Sequence, residues 1–148
     1  MDKIPPILLA SASPRRKILL EQIGVTIADI IPADIDETAL KGELPRQLAG
    51  RLAAEKARHI ASSHSGQLIL AADTVVTAGR KIYGKPENAD EARMFLTALS
   101  GRRHDVYGGI TVITPQGQEI NRIVHSVVKI KSLSDQEIAA YLATGDWE

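Results

Sequence analysis

The stretch "ILLASASPRRKILLEQIG", residues 7–24, places a strand directly before a helix and decides the expected fold. Its first four residues form an apolar run that is typical of a buried strand. Ser13 then stands at an N-cap position and Pro14 at the first helical position, and Gly24 ends the helix. One face of this helix carries three apolar residues, Ile18, Leu19 and Ile23. A strand followed at once by a helix is the opening unit of an α/β fold.

The rest of the chain continues this alternation. "VTIADII" (residues 25–31) alternates as a strand, and Pro45 begins a helix that we expect to end near Ile60. "QLILAADTVVTAG" (residues 67–79) holds two apolar runs around an acid, and "GRKIYGKP" (residues 79–86) is expected to form a turn and a loop.

The last third of the chain predicts two helices around a long hairpin. Asn88 caps the first helix, residues 104–133 form the hairpin about "PQGQ", and Ser134 with Glu137 forms a capping box before the second helix. Because a hairpin is antiparallel, we expect a mixed twisted α/β sheet flanked by helices rather than a purely parallel one.

The composition limits the kinds of partner. The chain has 148 residues, with 18 Lys plus Arg against 18 Asp plus Glu, so the formal net charge is zero. This balance argues against nucleic acid or a membrane surface held by bulk charge. There is no cysteine, and no apolar run approaches the ~20 residues of a membrane span. We therefore expect a cytoplasmic protein.

The first turn of the first helix carries three consecutive cations, Arg15, Arg16 and Lys17. This end of a helix has a partial positive charge and disfavours cations. A bound phosphate would reverse the penalty, because Ser11, the helix N–H groups and the guanidinium groups would all face it. From the sequence alone, arginine side chains that only point into water explain these cations equally well.

Other charged residues could complete an anion or metal site. Asp73 ends the apolar strand predicted from "LILAAD" and is followed by Thr74, a position at which an acid can bind Mg²⁺ or orient water. An aspartate that only caps a turn is the alternative. Lys56 lies among small apolar residues, where it is either snorkelling or paired with an anion. Lys85 in "GKP" stands on a stiff loop, and Glu37 in "DIDET" could supply a second carboxylate.

Together these segments resemble the Maf family of nucleoside triphosphate pyrophosphatases. The resemblance rests on "LASASPRRKILL", "DIDET", "RLAAEKA", "AADTVV", "YGKP", "LSGRRHDVYGGITV" and "LSDQEIAAYLATGDWE", in this order. It implies a two-lobed fold with a central cleft, similar to that of inosine triphosphate pyrophosphatases, and hydrolysis of a nucleoside triphosphate to the monophosphate and pyrophosphate with Mg²⁺ or Mn²⁺. The form "SPRR" with "DT" resembles the subgroup that acts on dTTP and UTP.

The resemblance also implies roles for individual residues. Asp73 would be the catalytic residue, as a base or a metal ligand, with Glu37 as the companion metal ligand. The substrate-binding residues would be Ser11, Arg15, Arg16, Lys56, Thr74 and Lys85. Apart from the resemblance, apolar faces that a further C-terminal segment would cover are candidates for a homodimer interface.

Family chains continue past "GDWE", and we interpret residues 1–148 as a single Maf-like domain that lacks the family's C-terminal segment. Two alternatives to the enzyme therefore stay open. One is a non-catalytic fragment that binds nucleotide or phosphate, and the other is a structural oligomerisation fragment.

Overall fold

The structure is a computed structural model, and it describes residues 4–11 and 13–147. These contain four helices and six strands, whose bounds are β1 Ile7–Ala10, α1 Pro14–Gln22, β2 Ile27–Ile30, α2 Pro45–Ala61, β3 Leu68–Ala78, β4 Lys81–Tyr83, α3 Ala89–Leu99, β5 Arg103–Ile113, β6 Glu119–Lys129 and α4 Asp135–Ala143. None of the helices in the described ranges is both long and apolar enough to cross a bilayer.

The strands form one sheet with the order β2-β1-β3-β5-β6, and β4 pairs with β3. β1 is parallel to both β2 and β3, whereas β3 and β4 are antiparallel. β5 and β6 are joined through a tight turn in which Thr114 N–H donates to the carbonyl of Gln118 at 2.9 Å. The predicted mixed α/β sheet flanked by helices is confirmed.

The chain divides into two compact units. The first comprises Met1–Thr74 and Gly108–Val124, and the second comprises Val75–Tyr107 and His125–Glu148. The cleft expected between two lobes stays a prediction, and so does the interpretation of the chain as a domain that lacks a C-terminal segment.

Each unit has its own apolar cluster. In the first unit, residues of β1, α2, β3 and β5 pack together; they are Leu8, Ala10, Ala57, Ile60, Ile69, Ala71 and Ile113. In the second unit the cluster consists of Ala78, Tyr83 and Leu99, with partly buried neighbours that include Phe95. Tyr83 and Phe95 meet edge to face with ring centroids 5.2 Å apart, a favoured aromatic arrangement.

Most predicted helix signals are confirmed. Pro14 and Pro45 each stand in the first turn of a helix. The Asn88 side chain accepts a hydrogen bond from Glu91 N–H at 2.8 Å, and Ser134 and Glu137 form the expected capping box. These ends are predictable because capping depends on residues a few positions apart.

Some details were not anticipated from the sequence. Residues 81–83 of the predicted turn and loop form β4, because the Gly79 turn folds them back onto the end of β3. Ser13 occupies the N-cap position of α1, but its side chain makes no capping bond. The apolar face of α1 is exposed, with Ile18 and Leu19 each 54% exposed.

Candidate active site

The parallel strands β2, β1 and β3 bring polar residues together near the carboxyl ends of β1 and β2. Ser11 directly follows β1, and the loop after β2, residues 31–44, carries Glu37. Ala10, the last residue of β1, pairs with Ala71 of β3, so that Asp73 lies two residues beyond the end of β1. Ligands of open α/β sheets bind at the carboxyl ends of parallel strands. The carboxyl end of β1 therefore brings these side chains together where a ligand would be expected. The prediction that a strand ends at Asp73 is wrong, because β3 continues through Asp73 to Ala78, where its last three residues pair with β4.

Lys56 of α2 joins two of these acids. Its Nζ lies 2.7 Å from Oδ1 of Asp73 and 2.8 Å from Oε1 of Glu37. The side chains of Lys56 and Asp73 are each only 13% exposed, whereas that of Glu37 is 58% exposed. Of the two alternatives for Lys56, pairing with anions is thus the one observed, and the anions are carboxylates of the protein itself.

The electrostatics of this cluster are set by burial and by mutual contact. Burial raises the pKa of Asp73 and the negative charge of Glu37 adds to this, while Lys56 and, more weakly, Arg16 act in the opposite direction; the net shift is upward. Burial alone would lower the pKa of Lys56, but its bonds to Asp73 and Glu37 outweigh burial, and the pKa is raised. Lys56 is therefore a fixed cation, and Asp73 accepts a proton more readily than an ordinary aspartate.

A second set of contacts joins the start of α1 to β3. Arg16 Nη1 donates to Ser11 Oγ at 3.1 Å, and Arg16 Nη2 donates to Thr74 Oγ1 at 3.3 Å. Ser11 is buried, and its Oγ also accepts from Ser13 N–H at 3.1 Å. The Arg16 guanidinium thus lies near Asp73, which immediately precedes Thr74 within β3.

The structure does not bring every predicted residue into these contacts. Arg15 is exposed, and within residues 4–11 and 13–147 it has no hydrogen bond or ion pair. Lys85 is exposed in the loop between β4 and α3 and belongs to the second unit. The substrate-binding roles of both residues stay predictions.

The donor set fits a divalent cation that also binds substrate. No group of three or more His, Asp or Glu side chains that could hold a metal lies within the described ranges. Asp73 and Glu37, however, contact the same nitrogen atom and so lie close together. Mg²⁺ commonly takes one or two carboxylates, with substrate phosphates and water as its other ligands. The two adjacent carboxylates of Asp73 and Glu37 match this requirement.

Sequence reasoning missed Arg51, which lies in the quoted segment "RLAAEKA". Its Nη1 donates to Glu55 Oε1 at 3.0 Å and its Nε donates to Glu43 Oε2 at 2.6 Å. The Arg51–Glu55 spacing of four residues was a visible signal, since such residues are neighbours on a helix. The contact to Glu43 depends on how the preceding loop folds, and no local pattern predicts it.

Comparison with known proteins identifies the family. The sequence matches the Maf-like protein family over residues 6–148. The chain belongs to the Maf family. It is 50% identical over 143 residues to the dTTP/UTP pyrophosphatase of Novosphingobium aromaticivorans, a match that covers 97% of this chain and 71% of that protein. It is 52% identical over 141 residues to the dTTP/UTP pyrophosphatase of a Ruegeria species, covering 95% of this chain and 72% of the relative.

Solved structures with the same fold include two Ham1 proteins. The Ham1 protein of Coxiella burnetii aligns with a TM-score of 0.54 and 22% identity, over 84% of this chain and 71% of its own. The Staphylococcus aureus Ham1 protein aligns with a TM-score of 0.53 and 14% identity, again over 84% of this chain and 71% of its own. At such low identities the likeness concerns the fold alone, and it agrees with the fold class expected from the sequence.

Proposed function

We propose that the protein is a nucleoside triphosphate pyrophosphatase that hydrolyses dTTP and UTP to the monophosphate and pyrophosphate. The observation that carries this proposal is the identity of about half of its residues with relatives named dTTP/UTP pyrophosphatase, over 95–97% of the chain. The carboxylate–lysine cluster formed by Glu37, Lys56 and Asp73 supports it, because this chemistry needs fixed charges beside the reacting phosphate.

In the proposed reaction, water attacks the α-phosphorus and the bond from that phosphorus to the α,β-bridging oxygen breaks. The leaving group is pyrophosphate, and the proton of the attacking water passes to a base. Lys56 contacts Oδ1 of Asp73, so we assign Oδ2 of Asp73 to the reacting side. Its raised pKa suits a base, because a carboxylate that holds a proton more readily removes one more effectively near neutral pH.

A divalent cation, Mg²⁺ or Mn²⁺, is part of the proposal and would be held by Asp73 and Glu37. When bound, it would neutralise charge on the phosphate oxygens. Lys56, a cation of the protein itself, has a separate role in holding the carboxylates in place. Lys56 holds the two carboxylates together, and this fixes their direction before substrate arrives.

Arg16, Ser11 and Thr74 are proposed to bind the substrate. The guanidinium already bridges the two hydroxyls, so it is preorganised and loses little freedom when phosphate or sugar oxygens replace these partners. Arg15 is proposed to contact phosphate from the first turn of α1, which contains no acidic residue. This would also explain why cations stand at the positive end of a helix.

The proposed location is the cytoplasm, where a nucleoside triphosphate would be available, and a homodimer is a further prediction. The alternative of a non-catalytic nucleotide-binding fragment gains no support from the relatives, which are named as pyrophosphatases. That alternative predicts saturable binding of dTTP without release of pyrophosphate.

The proposal is tested by measuring pyrophosphate release from each common nucleoside triphosphate in the presence of Mg²⁺. We expect kcat/KM for dTTP and UTP to exceed that for the purine triphosphates by about tenfold or more, since a hydrogen-bonding site rejects a base that leaves its groups unpaired. Equal kcat/KM values for all triphosphates would contradict the substrate assignment. Release of orthophosphate instead of pyrophosphate would contradict the reaction.

A further inference from the structure

Arg51 of α2 holds the loop that carries Glu37. Its Nε and Nη2 donate to the two oxygens of Glu43 at 2.6 and 2.9 Å, and Nη2 also donates to the carbonyl of Thr38 at 3.0 Å. Nη1 donates to Glu55 one turn further along the helix. The Glu43 side chain is only 7% exposed, and its bonds to Arg51 lower its pKa. Both partners therefore stay charged near neutral pH.

Few other contacts fix the conformation of this loop near Thr38. Residues 31–44 contain no helix or strand, and their start is fixed by Ile31 and Ala33, which pack against the apolar cluster of the first unit. In the middle, Thr38 N–H donates to Asp36 Oδ1 at 2.9 Å and Leu40 N–H donates to Glu43 Oε1 at 3.0 Å. These local bonds give the loop a shape, but they do not fix it to α2.

Glu37 immediately precedes Thr38 in the chain. The Thr38 carbonyl accepts a hydrogen bond from Arg51, and the Glu37 carboxylate contacts Lys56 on the same helix. Arg51 and Lys56, five positions apart on α2, therefore each contact one of two neighbouring loop residues, Thr38 and Glu37. The bidentate contact matters here, because a guanidinium fork fixes direction as well as distance. A single ammonium would not hold both Glu43 and the Thr38 carbonyl in this geometry.

We propose that Arg51 is a positioning residue, which sets the place of the Glu37 carboxylate beside Asp73 by clamping residues 38–43 to α2. The proposal rests on the proposed function for its effect on catalysis, but the clamp itself is a property of the loop. Outer partners of ligating carboxylates commonly change metal affinity or activity by about 10–100-fold when they are lost.

The test compares Arg51→Lys with Arg58→Lys. Arg58 is a matched control on the same helix, since it also forms a two-bond contact with a carboxylate, Glu119, at 2.6 and 2.8 Å. Neither Arg58 nor Glu119 has a hydrogen bond or ion pair to residues 31–44, all of which the structure describes. Glu43→Gln is a second variant that weakens the clamp without changing Arg51. Each variant is first checked for an unchanged far-UV circular dichroism spectrum, and kcat/KM for dTTP is then measured over a range of Mg²⁺ concentrations.

We expect Arg51→Lys to lower kcat/KM by about tenfold or more and to raise the Mg²⁺ concentration needed for half-maximal rate. Glu43→Gln should act in the same direction, and Arg58→Lys should stay within about twofold of the unmodified protein. In a Glu37→Gln background, adding Arg51→Lys should change kcat/KM by less than about twofold, because the residue through which Arg51 acts is already lost. Equal effects of Arg51→Lys in both backgrounds would overturn the proposal.

Hydrogen exchange of the metal-free protein gives a readout that does not depend on activity. Arg51→Lys should speed exchange of the Thr38 and Leu40 amides by about tenfold, and Arg58→Lys should leave them unchanged. Unchanged exchange in Arg51→Lys would overturn the clamp. If the unmodified protein released no pyrophosphate, the proposed function would fail while the exchange experiment would still decide whether Arg51 holds the loop.

Discussion

Lys56, Asp73 and Glu37 show what can be read from single residues. A lysine among small apolar residues and an aspartate at the end of an apolar run are both unusual, and the sequence alone therefore made each a candidate. Their contact could not be predicted, because they are 17 positions apart and meet only through the packing of α2 on the sheet. The Arg51 clamp was missed for the same reason, since two of its three partner residues, Thr38 and Glu43, lie in a loop without a repeating pattern.

The pKa of Asp73 tests the electrostatic description at this scale. In the metal-free protein we expect it to titrate above the ordinary value of about 3.9, because burial outweighs the attraction of Lys56. Lys56→Met should raise the pKa further by removing the cation. Side-chain carboxyl ¹³C NMR during a pH titration measures both values.

The sign of the linked stability change follows from the same shift. Between the unfolded and folded pKa values the native state binds more protons, so ionisation of Asp73 lowers stability as pH rises through this window. A pKa at or below the ordinary value, or a decrease in Lys56→Met, would contradict the assignment of burial as the main cause.

At the scale of elements, the helices were the most predictable part of the molecule. Their ends follow from Pro, Asn, Ser and Glu at fixed spacings, and α2 runs from Pro45 to Ala61 where the sequence predicted a helix to about Ile60. β4 was less predictable, because three residues become a strand only by pairing with β3. The close approach of α2 to β5 was not predictable from local sequence, where only Gly109 in β5 indicates it.

Gly109 of β5 provides the test of this packing. A Cβ at this position would lie 2.2 Å from the carbonyl oxygen of Ala49 and 2.9 Å from the nitrogen of Gly50, both in the backbone of α2. Gly109→Ala should therefore displace the helix that carries Lys56 and lower the free energy of unfolding by about 1–3 kcal/mol. Thermal or urea unfolding measures this change.

The neighbouring Gly108 is the control, because a Cβ there would make only an ordinary contact, 3.8 Å from the carbonyl oxygen of Val124. Gly108→Ala should leave the unfolding midpoint nearly unchanged. Equal midpoints for the two variants would contradict the close approach of α2 to Gly109 of β5.

At the scale of the whole molecule, the order of helices and strands was sufficient to predict a mixed α/β sheet, and the resemblance of seven short segments supplied the family. The sheet order was beyond prediction from one sequence, because β1 pairs with β2 and β3 through contacts between distant parts of the chain. The exposed side chains along β6, the last strand of the sheet, were also not foreseen. A pattern of apolar and polar residues indicates a strand but not its place in a sheet.

The most direct test of the proposed chemistry is pyrophosphate release from dTTP by the unmodified protein and by Asp73→Asn, with Mg²⁺ present. The substitution keeps the shape of the side chain but removes its charge and its ability to accept a proton as a carboxylate. We expect the unmodified protein to release pyrophosphate and Asp73→Asn to lower kcat by about 100-fold or more, while dTTP still raises the melting temperature of the variant. Near-normal kcat in Asp73→Asn would contradict the catalytic role of Asp73.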